Sequence, residues 1–169
     1  MRKVLALSLV LAFEIFMPVG IFAEEVPLVF SQKSLTPAAA LKVAKATLEA
    51  CRSAGFQAAV AVVDRGGNMQ VMLRDRFAGP HTPEVARRKA WTAVSFRTNT
   101  TQMSENTQAG EKASGVRHVV GALMLGGGVM IRAGGTLVGA IGVSGAPGGQ
   151  ADEDCAVKGL ASIQEDLDF

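Results

Sequence analysis

The sequence lacks the short motifs that mark several common enzyme classes. It contains neither GxxxxGK(S/T) nor GxGxxG, the glycine-rich segments that bind phosphates and dinucleotides. It also lacks HExxH and CxxC, which are common spacings of zinc ligands. Residues 142–146 (GVSGA) miss the GxSxG pattern of a serine hydrolase because the second glycine is displaced. The sequence therefore argues against nucleotide-binding, zinc-dependent and serine-hydrolase functions.

Cysteine is scarce and the net charge is small. Cys51 and Cys155 are too few for a disulfide scaffold. Each falls on a predicted helix, so they either form one bridge closing a long loop or remain buried free thiols. With 17 basic and 15 acidic residues, bulk electrostatics predict no nucleic-acid binding. The basic run 87–89 is interpreted as one solvated side of a helix.

The first 23 residues have the features of a secretory signal peptide. Arg2 and Lys3 precede an apolar run over 4–13, and the small residue Ala23 precedes two glutamates. We therefore expect export to the periplasm or the exterior, with cleavage near Ala23. An uncleaved membrane anchor is the alternative, although Glu14 within the apolar segment argues against it. The remaining chain divides into an extended leader at 24–34 and one domain at 35–169.

Hydrophobic spacing and turn residues predict an α+β domain in which helices cover the faces of one antiparallel sheet. Helix signals include Thr36 as a cap followed by Pro37, and Thr82 as a cap followed by Pro83. The polar segment 99–111 is either a short helix or a loop. The predicted helices are 37–54, 83–97 and 150–167, and the predicted strands are 56–63, 69–74, 116–125, 129–133 and 136–143.

Glycine is concentrated in one part of the chain. Eleven of the 19 glycines fall between Gly121 and Gly149, around the predicted hairpin and the loop that follows it. Such density permits close backbone approach by a ligand or a neighbouring chain, so this segment is a candidate site. The acidic residues 152–154 are interpreted as stabilising the start of the last helix, with metal binding as a minor alternative.

Four segments together resemble a known family: 59–70 (AVAVVDRGGNMQ), 86–93 (ARRKAWTA), 127–156 with VGAIGVSG and an acidic helix start, and a first helix ending at Gly55. They are similar to the GlcG/HbpS-type haem-binding proteins and to the C-terminal domain of PduO-type corrinoid adenosyltransferases. The resemblance implies a profilin-like fold with a five-stranded antiparallel sheet, homo-oligomers, and haem or a related tetrapyrrole as ligand. For exported members it implies haem handling or redox sensing, with no well-established catalytic reaction.

If haem is the ligand, the sequence offers few axial donors. Tyrosine is absent, which leaves His81 and His118 as the candidate iron ligands, each with an ordinary loop or surface histidine as the alternative. Methionine is a weaker candidate because it more often fills gaps in a core. The methionines considered are Met72, Met103, Met124 and Met130, and the candidate cations for the propionates are Lys89, Arg87, Arg97 and Arg117.

Two other functions stay open at this point. The glycine-rich loop, with Asp64 and Lys89, could bind a small organic acid, as in an enzyme or accessory subunit linked to organic-acid or corrinoid metabolism. A homo-oligomer could instead act as a signalling module that contacts a membrane sensor.

Overall fold

The computed structural model describes residues 27–168, so the predicted signal peptide at 1–23 lies outside the described residues. Residues 27–34, within the predicted leader, are exposed and contain no helix or strand. Every helix and strand described lies in a compact unit that begins at Gln32. No helix among residues 27–168 is long and apolar enough to span a membrane.

The domain consists of four strands, five α-helices and a short 3-10 helix within the described range. The strands are β1 (Ala59–Asp64), β2 (Met69–Arg74), β3 (Gly128–Ala133) and β4 (Thr136–Ser144). The helices are α1 (Pro37–Ser53), α2 (Thr82–Phe96), α3 (Thr100–Asn106), α4 (Gly149–Ala161) and α5 (Gln164–Leu167), and the 3-10 helix spans Ser114–His118.

One antiparallel sheet with the strand order β2-β1-β4-β3 forms the centre of the domain. β1 and β4 are the inner strands, and Val60 pairs with Val143 in their register. Both inner strands are apolar on both faces because helices cover each side of the sheet. The predicted α+β class and both predicted hairpins are confirmed.

The predicted fifth strand at 116–125 is wrong. This segment instead contains the end of the 3-10 helix and an irregular stretch, although its sequence is apolar. In place of a strand ladder, side chains of α2 bind part of its backbone, and local turns such as the one from the Ala122 N–H to the Val119 carbonyl satisfy other groups. Arg88 donates to the carbonyl oxygens of Gly121 and Ala122, and the Leu123 N–H donates to the Thr92 hydroxyl oxygen at 2.9 Å.

Two apolar layers hold the helices on the sheet. α1 and α4 pack on one face around Val43, Val60 and Val143, and Cys51 and Cys155 are disulfide-bonded between these two helices, with Cα atoms 5.1 Å apart. On the other face, the α2 residues that pack on the sheet are mostly small and include Ala86, Ala90 and Ala93. This small-residue face brings the backbone of α2 against β4 at Gly142.

The capping and turn residues of the sequence predicted where the helices lie, but they predicted some of the helix ends incorrectly. The Thr36 hydroxyl oxygen accepts from the Ala39 N–H at 3.2 Å, so the predicted start of α1 is confirmed. Thr82, predicted as the cap of α2, is instead its first residue, and its hydroxyl donates to the Gly79 carbonyl at 2.8 Å. The predicted last helix is two helices, since the Ser162 hydroxyl donates to the Gly159 carbonyl where α4 ends.

Substituting Gly142 by Ala should destabilise the domain. The added methyl group would clash with the Ala86 carbonyl oxygen and lie 2.7 Å from the Ala90 nitrogen, both of which are backbone atoms. We expect urea unfolding to show a loss of about 1–3 kcal/mol or more. Gly115→Ala is the control, because no atom lies within 4 Å of its added methyl group. Equal stabilities for the two variants would contradict the close packing of α2 on β4.

Candidate functional site

A cavity of about 540 Å³ lies between the loop after β4, the start of α2 and the segment that leads into β1. We call it the loop cavity. Its polar floor contains Lys89, Ser144 and Asp152, and the remaining lining combines apolar side chains and backbone with the polar side chains of Gln57, His81 and Thr82. The full lining is Gly55, Phe56, Gln57, Phe77, Gly79, His81, Thr82, Val85, Lys89, Leu125, Ser144, Gly145, Ala146, Pro147, Gly148, Gly149 and Asp152.

A buried ion pair forms the floor of the loop cavity. The Lys89 Nζ lies 2.6 Å from the Asp152 Oδ2, and the two side chains are 1% and 5% exposed. Lys89 also donates to the Val143 carbonyl at 2.9 Å, and the Asp152 Oδ1 accepts from the Ala146 N–H at 2.9 Å. The pair therefore joins α2 to β4 and fixes the glycine-rich loop to the start of α4.

Burial dominates the protonation equilibria of this pair. It lowers the pKa of Lys89, because the low-dielectric surroundings disfavour the ammonium, and the attraction of Asp152 offsets only part of the effect. Burial likewise raises the pKa of Asp152, and Lys89 and the N–H groups of Ala146 and Gly145 oppose the shift. The cavity floor thus contains two titratable groups whose pKa values are displaced towards each other.

His81 lies at the exposed mouth of the loop cavity. It precedes α2 and occupies the cap position without making a capping hydrogen bond. Its imidazole packs on the backbone of Gly79, where an added Cβ would lie 2.7 Å from the His81 Cε1. The absence of a side chain at position 79 thus leaves the ring free to lie along the loop that borders the cavity.

The apolar part of the lining comes from side chains that are exposed or only half-buried. Phe77 is 78% exposed and Leu125 is 44% exposed. Phe56 is half-buried and contacts the core at the end of α1, and Val85 lies on the first turn of α2. Exposed aromatic and aliphatic side chains around a concave site are typical of ligand binding.

A second hollow of about 410 Å³ adjoins the loop cavity and shares Gln57 and Phe77 with it. Its cations are Arg52, Arg74 and Arg76. The Arg52 Nη2 lies 2.6 Å from the Asp75 Oδ1, while the Arg76 guanidinium lies over the Phe77 ring, 5.9 Å from its centroid. Among residues 27–168, Arg76 forms no salt bridge, so its charge is available to a ligand.

The structure brings together two of the candidate residues and separates the others. His81 and Lys89 both line the loop cavity. Arg87 faces outward and pairs with Glu84 at 2.7 Å, and His118 is exposed on the 3-10 helix. Arg117 donates to the carbonyl oxygens of Thr107 and Ser104, which holds α3 against the 3-10 helix.

The other candidates lie outside the loop cavity. Asp64 accepts from the N–H groups of Gly66 and Asn68, so it stabilises its own turn and does not meet Lys89. Arg97 lines a separate hollow with Arg65. The four methionines pack against apolar clusters: Met72 and Met130 beside the α2 face, and Met103 and Met124 with each other near Trp91.

The structure corrects one sequence interpretation and adds detail to another. The basic run 87–89 is not a solvated side of α2, because Lys89 is buried and Arg88 binds carbonyl oxygens. The acidic residues 152–154 also act separately: Asp152 binds Lys89, Glu153 accepts from the Thr101 N–H at 3.3 Å, and Asp154 accepts from Gln150. Within residues 27–168, no three His, Cys, Asp or Glu side chains form a possible metal site.

The sequence reasoning missed Asp152 as the partner of Lys89, and it missed Ser144, Phe77 and Arg76 entirely. Phe77 and Arg76 had a local signal, since an exposed aromatic beside two arginines in the loop before α2 is an unusual composition. No local pattern in the sequence indicated the Lys89–Asp152 pair, because its two residues are 63 positions apart.

The fold and the cavity place this protein among single α+β domains built on one antiparallel sheet. Residues 35–161 match the family described as haem degrading protein HbpS-like, and the chain belongs to this family. The resemblance inferred from the sequence is thereby confirmed.

Solved structures and curated relatives agree with this assignment. A double mutant of HbpS from Streptomyces reticuli is 39% identical, with a TM-score of 0.76, over 83% of this chain and 94% of that one. A structure described as a PduOC:heme complex is 30% identical, with a TM-score of 0.72, over 77% and 95% of the two chains. The corrinoid adenosyltransferase PduO of Salmonella typhimurium is 32% identical over 124 residues, which are 72% of this chain but only 37% of that protein.

Substituting Lys89 by Met should destabilise the domain by about 3–5 kcal/mol, because the Asp152 carboxylate would remain buried without its cation. Urea unfolding of Lys89→Met, Asp152→Asn and the double variant measures the coupling between the two side chains. We expect the double variant to lose less stability than the sum of the two single variants.

Arg87→Met, which breaks the exposed pair with Glu84, is the matched control and should cost less than about 1 kcal/mol. A Lys89→Met variant that is no less stable than Arg87→Met would show that the buried pair does not support the fold.

Proposed function

We propose that this protein binds haem or a related tetrapyrrole in the loop cavity, with His81 as the axial ligand. The observation that carries the proposal is the position of His81, an exposed imidazole at the mouth of a cavity with apolar walls. The family description names haem, and one solved relative is described as a heme complex. His118 lies on the exposed 3-10 helix and does not line the cavity, so we propose the iron-ligand role for His81 alone.

The lining residues fit the requirements of a haem site. A haem needs an axial donor, an apolar surface for the ring, and cations near its propionates. His81 supplies the donor, and Phe56, Phe77 and Leu125 supply apolar surface that a flat ring would cover. Lys89 does not fit the cation role well, because Asp152 already neutralises it. Arg76, beside Phe77 and without a carboxylate partner among the described residues, fits it better.

The chain's own residues would then have distinct tasks. His81 would hold the iron through an imidazole nitrogen, the aromatic walls would exclude water from one ring face, and Arg76 would orient the charged edge outward. Bound haem would supply an iron centre that can exchange ligands and change its oxidation state. We propose haem handling or redox sensing as the use of that centre.

We also propose that the protein acts as a homo-oligomer and contacts a membrane sensor. What supports assembly is the family resemblance together with exposed apolar side chains away from the loop cavity. Val120 is 94% exposed and Val119 is 44% exposed, so a neighbouring subunit at this position would cover them.

A hemin titration followed by absorbance tests the haem proposal. We expect a saturable Soret shift at one site, and His81→Ala should weaken binding at least tenfold and change the spectrum, because the axial nitrogen is lost. His118→Ala is the matched control and should leave both unchanged. A weak, unsaturating change that is equal in all three proteins would show only nonspecific adsorption and would overturn the proposal.

We further propose that the protein is exported and that its signal peptide is removed after Ala23. When the full chain is produced in a Gram-negative host, N-terminal sequencing of the periplasmic protein should give Glu24 as the first residue. Ala23→Phe should block cleavage, because signal peptidases require a small residue at this position. Recovery of protein that retains Met1 in the membrane fraction would favour the uncleaved anchor instead.

A further inference from the structure

The floor of the loop cavity has more hydrogen-bond donors than acceptors. An ammonium carries three N–H donors. One N–H of Lys89 donates to Asp152 and another to the Val143 carbonyl, and the third has no acceptor among the described residues. Because Lys89 is only 1% exposed, an unused donor there is costly unless something inside the cavity accepts from it.

A second donor without a partner lies on the same floor. Ser144, the last residue of β4, is 5% exposed, and its hydroxyl makes no hydrogen bond with any residue between 27 and 168. Alternate residues of a strand share a face, so Ser144 lies on the face of Gly142, which packs against α2. Thr82 and Val85, on the first turn of α2, line the cavity together with Ser144.

The start of α4 supplies a third group of donors. Its cap residue is Gly148, which has no side chain to accept from the first turn, and Gly148 and Gly149 line the cavity. The N–H groups at 149–151 find no acceptor in the described part of the chain. The N-terminus of this 13-residue helix also carries partial positive charge, which favours an anion.

The acceptors on the floor are already engaged. Asp152 uses one carboxylate oxygen for Lys89 and the other for the Ala146 N–H. Because Lys89 and Asp152 neutralise each other, the described residues of the floor offer donors and a helix dipole but no unpaired cation. This combination suits a singly charged group with two acceptor oxygens better than a doubly charged phosphate.

We propose that the floor of the loop cavity binds a carboxylate group through Ser144, Lys89 and the first N–H groups of α4. The carboxylate can belong to a small free acid, or to a propionate of the tetrapyrrole, and only the second source rests on the proposed function. Either source supplies acceptor oxygens to a cavity whose lining includes all three sets of donors.

Calorimetric titration of hemin-free protein with acetate and with lactate tests the first source. We expect saturable binding that Ser144→Ala weakens about tenfold, because a hydroxyl donor to a charged oxygen is lost. Gln150→Pro should also weaken binding, since proline is tolerated in a first helical turn but has no N–H. Gln150→Ala is the comparison variant, because it also removes the glutamine side chain but keeps the N–H, and it should bind more tightly than Gln150→Pro.

A comparison of hemin with hemin dimethyl ester tests the second source. If neither small acid binds, the proposal requires that the ester bind about tenfold more weakly than hemin and that Ser144→Ala and Gln150→Pro reduce this difference. Absence of acid binding together with equal binding of hemin and its ester would overturn the carboxylate site. If hemin itself fails to bind, the haem proposal is overturned. The acid titrations alone then show whether the floor of the cavity binds a carboxylate.

Discussion

The buried ion pair between Lys89 and Asp152 is the interaction on which the site depends. Removing two charges from water is costly, and a single contact rarely compensates for it. Here the Val143 carbonyl, the Ala146 N–H and the positive end of α4 add further stabilisation. These contacts join three elements that are distant in the sequence, so the position of the glycine-rich loop follows from the position of the pair.

The pair forms where the backbone of α2 lies directly against β4. Ala86 and Ala90 on the helix and Gly142 on β4 remove the side chains that would otherwise separate the two backbones. A long side chain at position 89 therefore reaches the end of β4 and the floor of the cavity. The small residues of α2 bury little apolar surface themselves. They are nevertheless needed for the Lys89–Asp152 pair to form, as well as for the packing of the core.

The sequence predicted what local chemistry determines. Thr36 and Pro37 located the start of α1, and the glycine turns located both hairpins. It could not predict the segment 116–125, because the apolar pattern of a strand says nothing about Arg88 and Thr92, which bind that backbone from another helix. The same limit applied to the candidate site. The sequence identified His81 because it is one of only two histidines, but it contained no pattern that linked Lys89 to Asp152.

The charge arrangement also indicates how a flat, doubly carboxylated ligand would lie. The floor is neutral overall and provides donors. The guanidinium of Arg76, which forms no salt bridge with any residue in 27–168, lies outside, beside Phe77 in the adjoining hollow. A tetrapyrrole could therefore direct one carboxylate to the arginine and cover the aromatic walls with its ring. In both proposals the negative charge of the ligand meets groups without a partner among residues 27–168, which are the donors of the floor and the guanidinium of Arg76.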